Sequence, residues 1–100
     1  MDNTSQLLAG HKVLVTGAAR GLGLAFAAAI AAAGARVALA DILQDALAVS
    51  VANLRRQGLD VNGFALDMAD PVSIDTCARA ATGWLGGLDG LVNNAAITNS

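Results

Sequence analysis

KVLVTGAARGLG, residues 12–23, is an apolar run broken by one glycine and followed closely by two more. Lys12–Thr16 is rich in β-branched residues and uncharged after Lys12, the pattern of a short strand buried on both faces. Gly17 permits a tight exit from that strand. Gly21 and Gly23 let a backbone approach the next element with no Cβ in the way. From Gly21 to Ala33 the chain reads as a helix of Ala, Leu, Phe and Ile, and Gly34 is the natural residue to end it. The start of such a helix presents unpaired N–H groups and a partial positive charge, which suits a pyrophosphate. The glycine spacing is G-x3-G-x-G. It differs from both the G-x-G-x-x-G fingerprint and the Gly-Lys-Ser/Thr of a Walker A loop.

Outward from this unit the pattern repeats. Arg36–Ala40 is a second buried strand stopping at Asp41. Leu43–Gln57 is a helix with Leu43, Leu47, Val51 and Leu54 on one face, Arg55 and Arg56 in its last turn, and Gly58 after it. Val61–Leu66 is a weaker strand, interrupted by Gly63. Asp70-Pro71 opens a third helix, Asp as N-cap and Pro at the first helical position. Its apolar face is Ile74, Ala78, Ala81 and Leu85, and Gly86-Gly87 end it. Leu88–Val92 is a fourth strand leading into Asn93-Asn94-Ala95-Ala96. Buried strands alternating with helices predict an α/β fold: a Rossmann-type doubly wound parallel sheet with strand order 3-2-1-4. Residues 1–10 are a tail and 11–100 one dinucleotide-binding segment.

Composition excludes several classes. With 55% hydrophobic and 14% charged residues among 100, the chain is globular rather than disordered. Three aromatic residues, no tyrosine, a net charge of −2 and six scattered Lys and Arg do not make a nucleic-acid surface. The single cysteine, Cys77, reads as a small buried apolar residue and allows neither an intrachain disulfide nor a cysteine metal site. His11, the single histidine, precedes the first strand and reads as a solvated loop residue. The longest apolar run, Leu24–Ala33, is ten residues, against about 20 for a membrane span. MDNTSQLLA lacks the basic start and apolar stretch of a signal peptide, so a cytoplasmic setting is expected.

Ligands of doubly wound sheets bind at the carboxyl ends of the strands. There this chain carries Gly17–Gly23, Asp41, Asp67 and Asn93-Asn94. Asp41 lies 18 residues after Gly23; a carboxylate there accepts the hydroxyls of an adenosine ribose and repels a 2′-phosphate, favouring NAD over NADP. It also reads as a cap for the helix starting near Leu43. Arg20 pulls the other way, since a guanidinium in the glycine turn reaches a 2′-phosphate. Asp41 sits nearer the ribose and outweighs it. Asp67 reads either as a loop acid beside Asp70 or as an acceptor for the adenine amino group. Asn93 and Asn94, followed by two small residues, suit packing beside a flat ligand.

Together these residues resemble the short-chain dehydrogenase/reductase family. Thr16-Gly17-Ala18-Ala19-Arg20-Gly21-Leu22-Gly23 is similar to its TGxxxGxG cofactor turn. Asp41 and Ile42 match the acid that marks NAD preference and its neighbour beside the adenine. Asp67-Met68 resembles the adenine-contacting pair, and Asn93-Asn94-Ala95-Ala96 the family's NNAG, with Ala96 where Gly is commoner. The resemblance implies an NAD-dependent oxidoreductase moving hydride between cofactor and a small alcohol or ketone, in a homo-oligomer (dimer or tetramer). The family's catalytic Asn, Ser and Tyr-x-x-x-Lys follow NNAG in chains much longer than this one. Here there is no tyrosine, and the one lysine is Lys12. The chain is thus expected to be the cofactor-binding half of such an enzyme, inactive by itself and marginally folded, with no catalytic residue of its own. Other expectations compatible with the residues are a stand-alone nucleotide-binding module and a methyltransferase half. The TGxxxGxG spacing and NNAA count against the latter.

Overall fold

The protein is described by a computed structural model covering residues 7–95. The elements run β1 (Lys12–Thr16), α1 (Gly21–Ala32), β2 (Arg36–Asp41), α2 (Gln44–Arg56), β3 (Val61–Ala65), α3 (Pro71–Leu85) and β4 (Gly90–Asn93). All neighbouring strands are parallel, in the order β3-β2-β1-β4. This is the order expected when each crossover is right-handed and the chain winds outward first to one side of β1 and then to the other. Thr16 pairs in register with Ala40 and Asn93, and Asp41 with Ala65, so all four strands end at one edge.

The period-2 alternation of β1 and β2 divides their side chains between two cores. Val13, Val15, Val37 and Leu39 face Ala27, Ala31, Leu47, Val51 and Leu54 of α1 and α2. Leu14, Ala38 and Ala40 face Cys77, Ala81 and Leu85 of α3, with Phe64, Met68 and Trp84 packed at the margin. β1 and β2 are buried on both faces. The outer strands β3 and β4 are only partly so, each having a single neighbouring strand.

Several boundaries differ from the sequence reading by one or two residues, the strand ends most informatively. β2 runs through Asp41, because the Asp41 carbonyl still accepts the Leu66 N–H. β4 starts at Gly90 rather than Leu88: the Asp89 N–H bonds the Lys12 carbonyl and its carboxylate accepts the Lys12 N–H, closing a loop before the ladder begins. β3 stops at Ala65. The buried face of α3 is Cys77, Ala81 and Leu85, while Ile74 and Ala78 are exposed. Asp70 and Pro71 set where α3 begins, but its rotation follows the small-residue surface of Ala38 and Ala40 that it must meet. Trp84 is half-buried, its ring 6.1 Å from Phe64 and 4.0 Å beneath the Arg36 guanidinium.

Candidate functional site

The turn between β1 and α1 is built on two contacts that no side chain could share. A Cβ on Gly23 would lie 2.0 Å from the Gly17 carbonyl oxygen. A Cβ on Gly17 would lie 2.9 Å from the Ala95 nitrogen, and Gly17 has φ +65°. Gly21 differs from the sequence expectation: a Cβ there meets nothing within 4 Å, and glycine is favoured instead by a φ of +61°. The turn delivers the chain into α1 through Arg20, whose backbone is extended and whose side chain caps nothing. The first turn of α1 holds no acidic residue either. Its free N–H groups therefore point outward with no side-chain acceptor, the condition under which a helix start receives an anion.

Asp41 closes the opposite side. Its Oδ2 accepts the Ala19 N–H at 2.9 Å and its Oδ1 accepts the Leu43 N–H at 3.0 Å. Asp41 does not act as the N-cap of α2. The cap position is Leu43, with no side-chain hydrogen bond, and Asp41 binds it from two residues upstream. A carboxylate offers about four lone-pair sites, so both oxygens can still accept from a neighbouring diol. Ala19 is held a second time, its carbonyl accepting the Ser50 hydroxyl of α2 at 2.6 Å. Ser50 escaped the sequence reading. The available signal was its place in the apolar stripe, three residues after Leu47 and four before Leu54, where a hydroxyl must find a partner.

Thr16 anchors the third side. Its Oγ1 donates to Asn93 Oδ1 at 2.7 Å and accepts the N–H groups of Asn94 at 3.0 Å and Ala95 at 3.1 Å. One donor and two lone pairs are thereby all engaged. The Asn94 amide donates to the Gly17 carbonyl at 3.4 Å. After β3, the Asp67 Oδ1 accepts the Ala69 N–H at 3.0 Å, while the Asp67 N–H donates to Ser73 Oγ at 2.8 Å. Met68 leans on the α3-side core.

These walls enclose an open cleft of about 570 Å³ at the carboxyl edge of the sheet. Gly17, Arg20, Gly21 and Leu22 line it from the turn and the start of α1, Asp41 and Ile42 from the end of β2 and just beyond, Asp67 and Met68 from the loop after β3, and Asn94 and Ala95 from the segment after β4. Leu43, Leu66 and Ala69 complete it, unforeseen from sequence. Thr16, Ala19 and Gly23 stand behind this lining, and Ala96 lies outside the described residues. Lys12 is at the amino end of its strand, its Nζ donating to the Gly86 carbonyl at 3.0 Å. His11 is exposed just before it. Burial raises the Cys77 thiol above its ordinary 9.0, on the helix side of the second core. Among the described residues no helix is long and apolar enough to cross a membrane.

The cleft therefore offers uncapped N–H groups for an anion, a fixed carboxylate for hydroxyls, and apolar walls at Ile42 and Met68 for a flat ring. Residues 11–100 match the family described as short chain dehydrogenase. The chain is 44% identical to a sorbitol dehydrogenase of Cereibacter sphaeroides over 90 residues, 90% of this chain and 34% of that protein. A short chain dehydrogenase of Burkholderia cenocepacia J2315, solved with NADP, superposes with a TM-score of 0.83 at 37% identity, covering 93% of this chain and 38% of that one. One from Burkholderia phymatum, solved with NAD, gives 0.80 at 34%, covering 84% and 30%. The chain thus spans about a third of the length of the curated relatives it matches.

Proposed function

The chain belongs to the short-chain dehydrogenase/reductase family, and on that footing we propose that it is the cofactor-binding half of an NAD-dependent oxidoreductase. The enzyme moves hydride between NAD(H) and a small alcohol or ketone. Membership of this family sets the methyltransferase alternative aside. The α1 start, with Gly17, Arg20, Gly21 and Leu22, holds the pyrophosphate. Asp41 takes the adenosine ribose, Ile42, Asp67 and Met68 flank the adenine, and Asn94, Ala95 and Ala96 continue the floor beyond. Thr16, Ala19 and Gly23 keep these groups in place. When bound, the nicotinamide accepts or gives up the hydride.

The observation that carries the choice of NAD is Asp41, a buried carboxylate in the cleft wall whose two oxygens are oriented by backbone N–H groups. A negative charge fixed in this way repels a 2′-phosphate, and Arg20, also in the cleft lining, attracts one. Replacing Asp41→Ala removes charge-assisted hydrogen bonds worth about 1.5–3 kcal/mol each, and the NADH-over-NADPH affinity ratio falls at least about tenfold. Fluorescence titration with both cofactors measures it. An unchanged ratio assigns the choice to Arg20 or to residues outside this chain.

Catalysis by these hundred residues alone is not expected, because there is no tyrosine and Lys12 and His11 sit at the far end of the sheet from the cleft. The same two facts favour a second reading, a module that binds dinucleotide without turning it over. A chain extended through a Tyr-x-x-x-Lys segment separates the two: turnover of NADH with a panel of ketones supports the first reading, and NADH binding without turnover supports the second. The setting proposed for the enzyme is cytoplasmic, without nucleic-acid or membrane partners, in keeping with the charge balance and a longest apolar run of ten residues; that it is a homo-oligomer is proposed on the family resemblance alone.

A further inference from the structure

We infer that Ser50, on α2 outside the cleft, is a positioning residue for dinucleotide selection, acting through Ala19 and Asp41. The inference rests on the NAD-binding function proposed above. Ser50 is buried and does not itself line the cleft. Its hydroxyl is nonetheless committed to a backbone carbonyl 31 residues away, at 2.6 Å, in the middle of the cofactor turn.

Ala19 is thus gripped on both flanks. Its N–H is bound by Asp41 and its carbonyl by Ser50, while the preceding Ala18 N–H bonds the Ala40 carbonyl at 3.2 Å. Fixing both flanking peptides fixes the φ and ψ of Ala19, leaving the turn one conformation. Two consequences follow from peptide planarity. The carbonyl of the Ala19–Arg20 peptide points into α2, so the Arg20 N–H of the same peptide points away from it. The Ala19 N–H is held against Asp41 Oδ2, which sets the carboxylate's rotation and with it the direction of its remaining lone pairs. Ser50 is therefore coupled to the residue that meets the ribose without meeting the ribose itself. A buried carbonyl that loses its donor is unsatisfied, and the surroundings are too apolar to supply another: Leu47, Val51 and Leu54 occupy the rest of that helix face.

Ser50→Thr keeps the hydroxyl and Ser50→Val replaces it by a methyl of nearly the same shape, so this pair isolates the hydrogen bond. Both are made in the full chain, with Ser50→Ala as a smaller alternative should valine prevent folding. NADH, NADPH and ADP-ribose are titrated by fluorescence or calorimetry. Ser50→Val is expected to weaken NADH and ADP-ribose binding by about fivefold, the ratio equivalent to one neutral hydrogen bond. NADPH weakens less, so discrimination narrows, and Ser50→Thr restores the parent values. Amide exchange at Ala19 quickens in the valine variant alone. Unchanged NADH affinity with the parent still binding overturns the inference and leaves the proposed function standing. Equal losses for NADH and NADPH that track the melting temperature overturn it too, as a general destabilisation. A parent chain that binds no dinucleotide overturns both.

Discussion

Two helices of this protein begin in opposite ways. α3 starts from Asp70, whose carboxylate accepts the Val72 N–H at 3.0 Å, with Pro71 at the first helical position contributing no N–H. α1 starts from Arg20 with no side-chain acceptor and no acid in its first turn. A helix start left without a cap forgoes about 0.5–2 kcal/mol, and the free N–H groups and dipole at such a start favour negative charge beside it. The contrast teaches how the same local physics separates a helix that caps itself from one whose first N–H groups no side chain caps. α3 satisfies its own N–H groups, whereas α1 keeps them available and relies on the clamps around Ala19 and Thr16 for its position.

The largest effect should come from closing the space that lets α1 sit where it does. Gly23→Ala puts a Cβ 2.0 Å from a backbone oxygen that no rotamer can move, and a loss of about 3 kcal/mol or more is expected with dinucleotide binding abolished. Thermal melts and NADH titration read both. Gly21→Ala provides the contrast: the space is open and only the φ of +61° resists, so about 1 kcal/mol is lost.

Making α1 resemble α3 sharpens the comparison directly. Arg20 already has the extended backbone of a cap residue, so Arg20→Asp should stabilise the fold by about 1 kcal/mol. The same carboxylate opposes the pyrophosphate, and NADH affinity should fall by about tenfold or more. A rise in melting temperature with undiminished NADH binding would show that the α1 start does not receive the anion. The reverse change, Asp70→Ala, should cost about 1 kcal/mol of stability and leave NADH affinity unchanged in the same titration.

The smallest effect concerns Cys77 beneath α3. Its thiol is raised by burial from 9.0, so less thiolate forms in the folded protein than in the unfolded chain at a given alkaline pH. Iodoacetamide labelling at pH 8 should proceed more slowly folded than in urea. The linked stability is complete below pH 9.0 and declines as pH rises from there toward the folded value, because only the unfolded state has lost its proton. A Cys77→Ala variant lacks that alkaline decline, which denaturant titrations on either side of the window would detect.

Local chemistry determined much of this molecule from its sequence alone. The glycine turn, the β–α alternation, the Asp70-Pro71 helix start and the strand order follow from backbone preferences and a handedness rule, and each is encoded within a few neighbouring residues. The carboxyl-edge residues were legible as a group for the same reason: strand ends are where apolar runs stop. The remaining features depend on partners far apart in the chain. Ser50 finds Ala19, Thr16 finds Asn93 and Asn94, and Asp89 shifts the start of β4 by bonding Lys12. The buried face of α3 turned from Ala78 to Cys77 because the alanines of β2 set the surface it packs on. Periodicity specifies that a helix has an apolar side. The rotation of that side, and the carbonyl that a buried hydroxyl reaches, are set by the contour of the opposing sheet and turn, which exist only once the chain has folded.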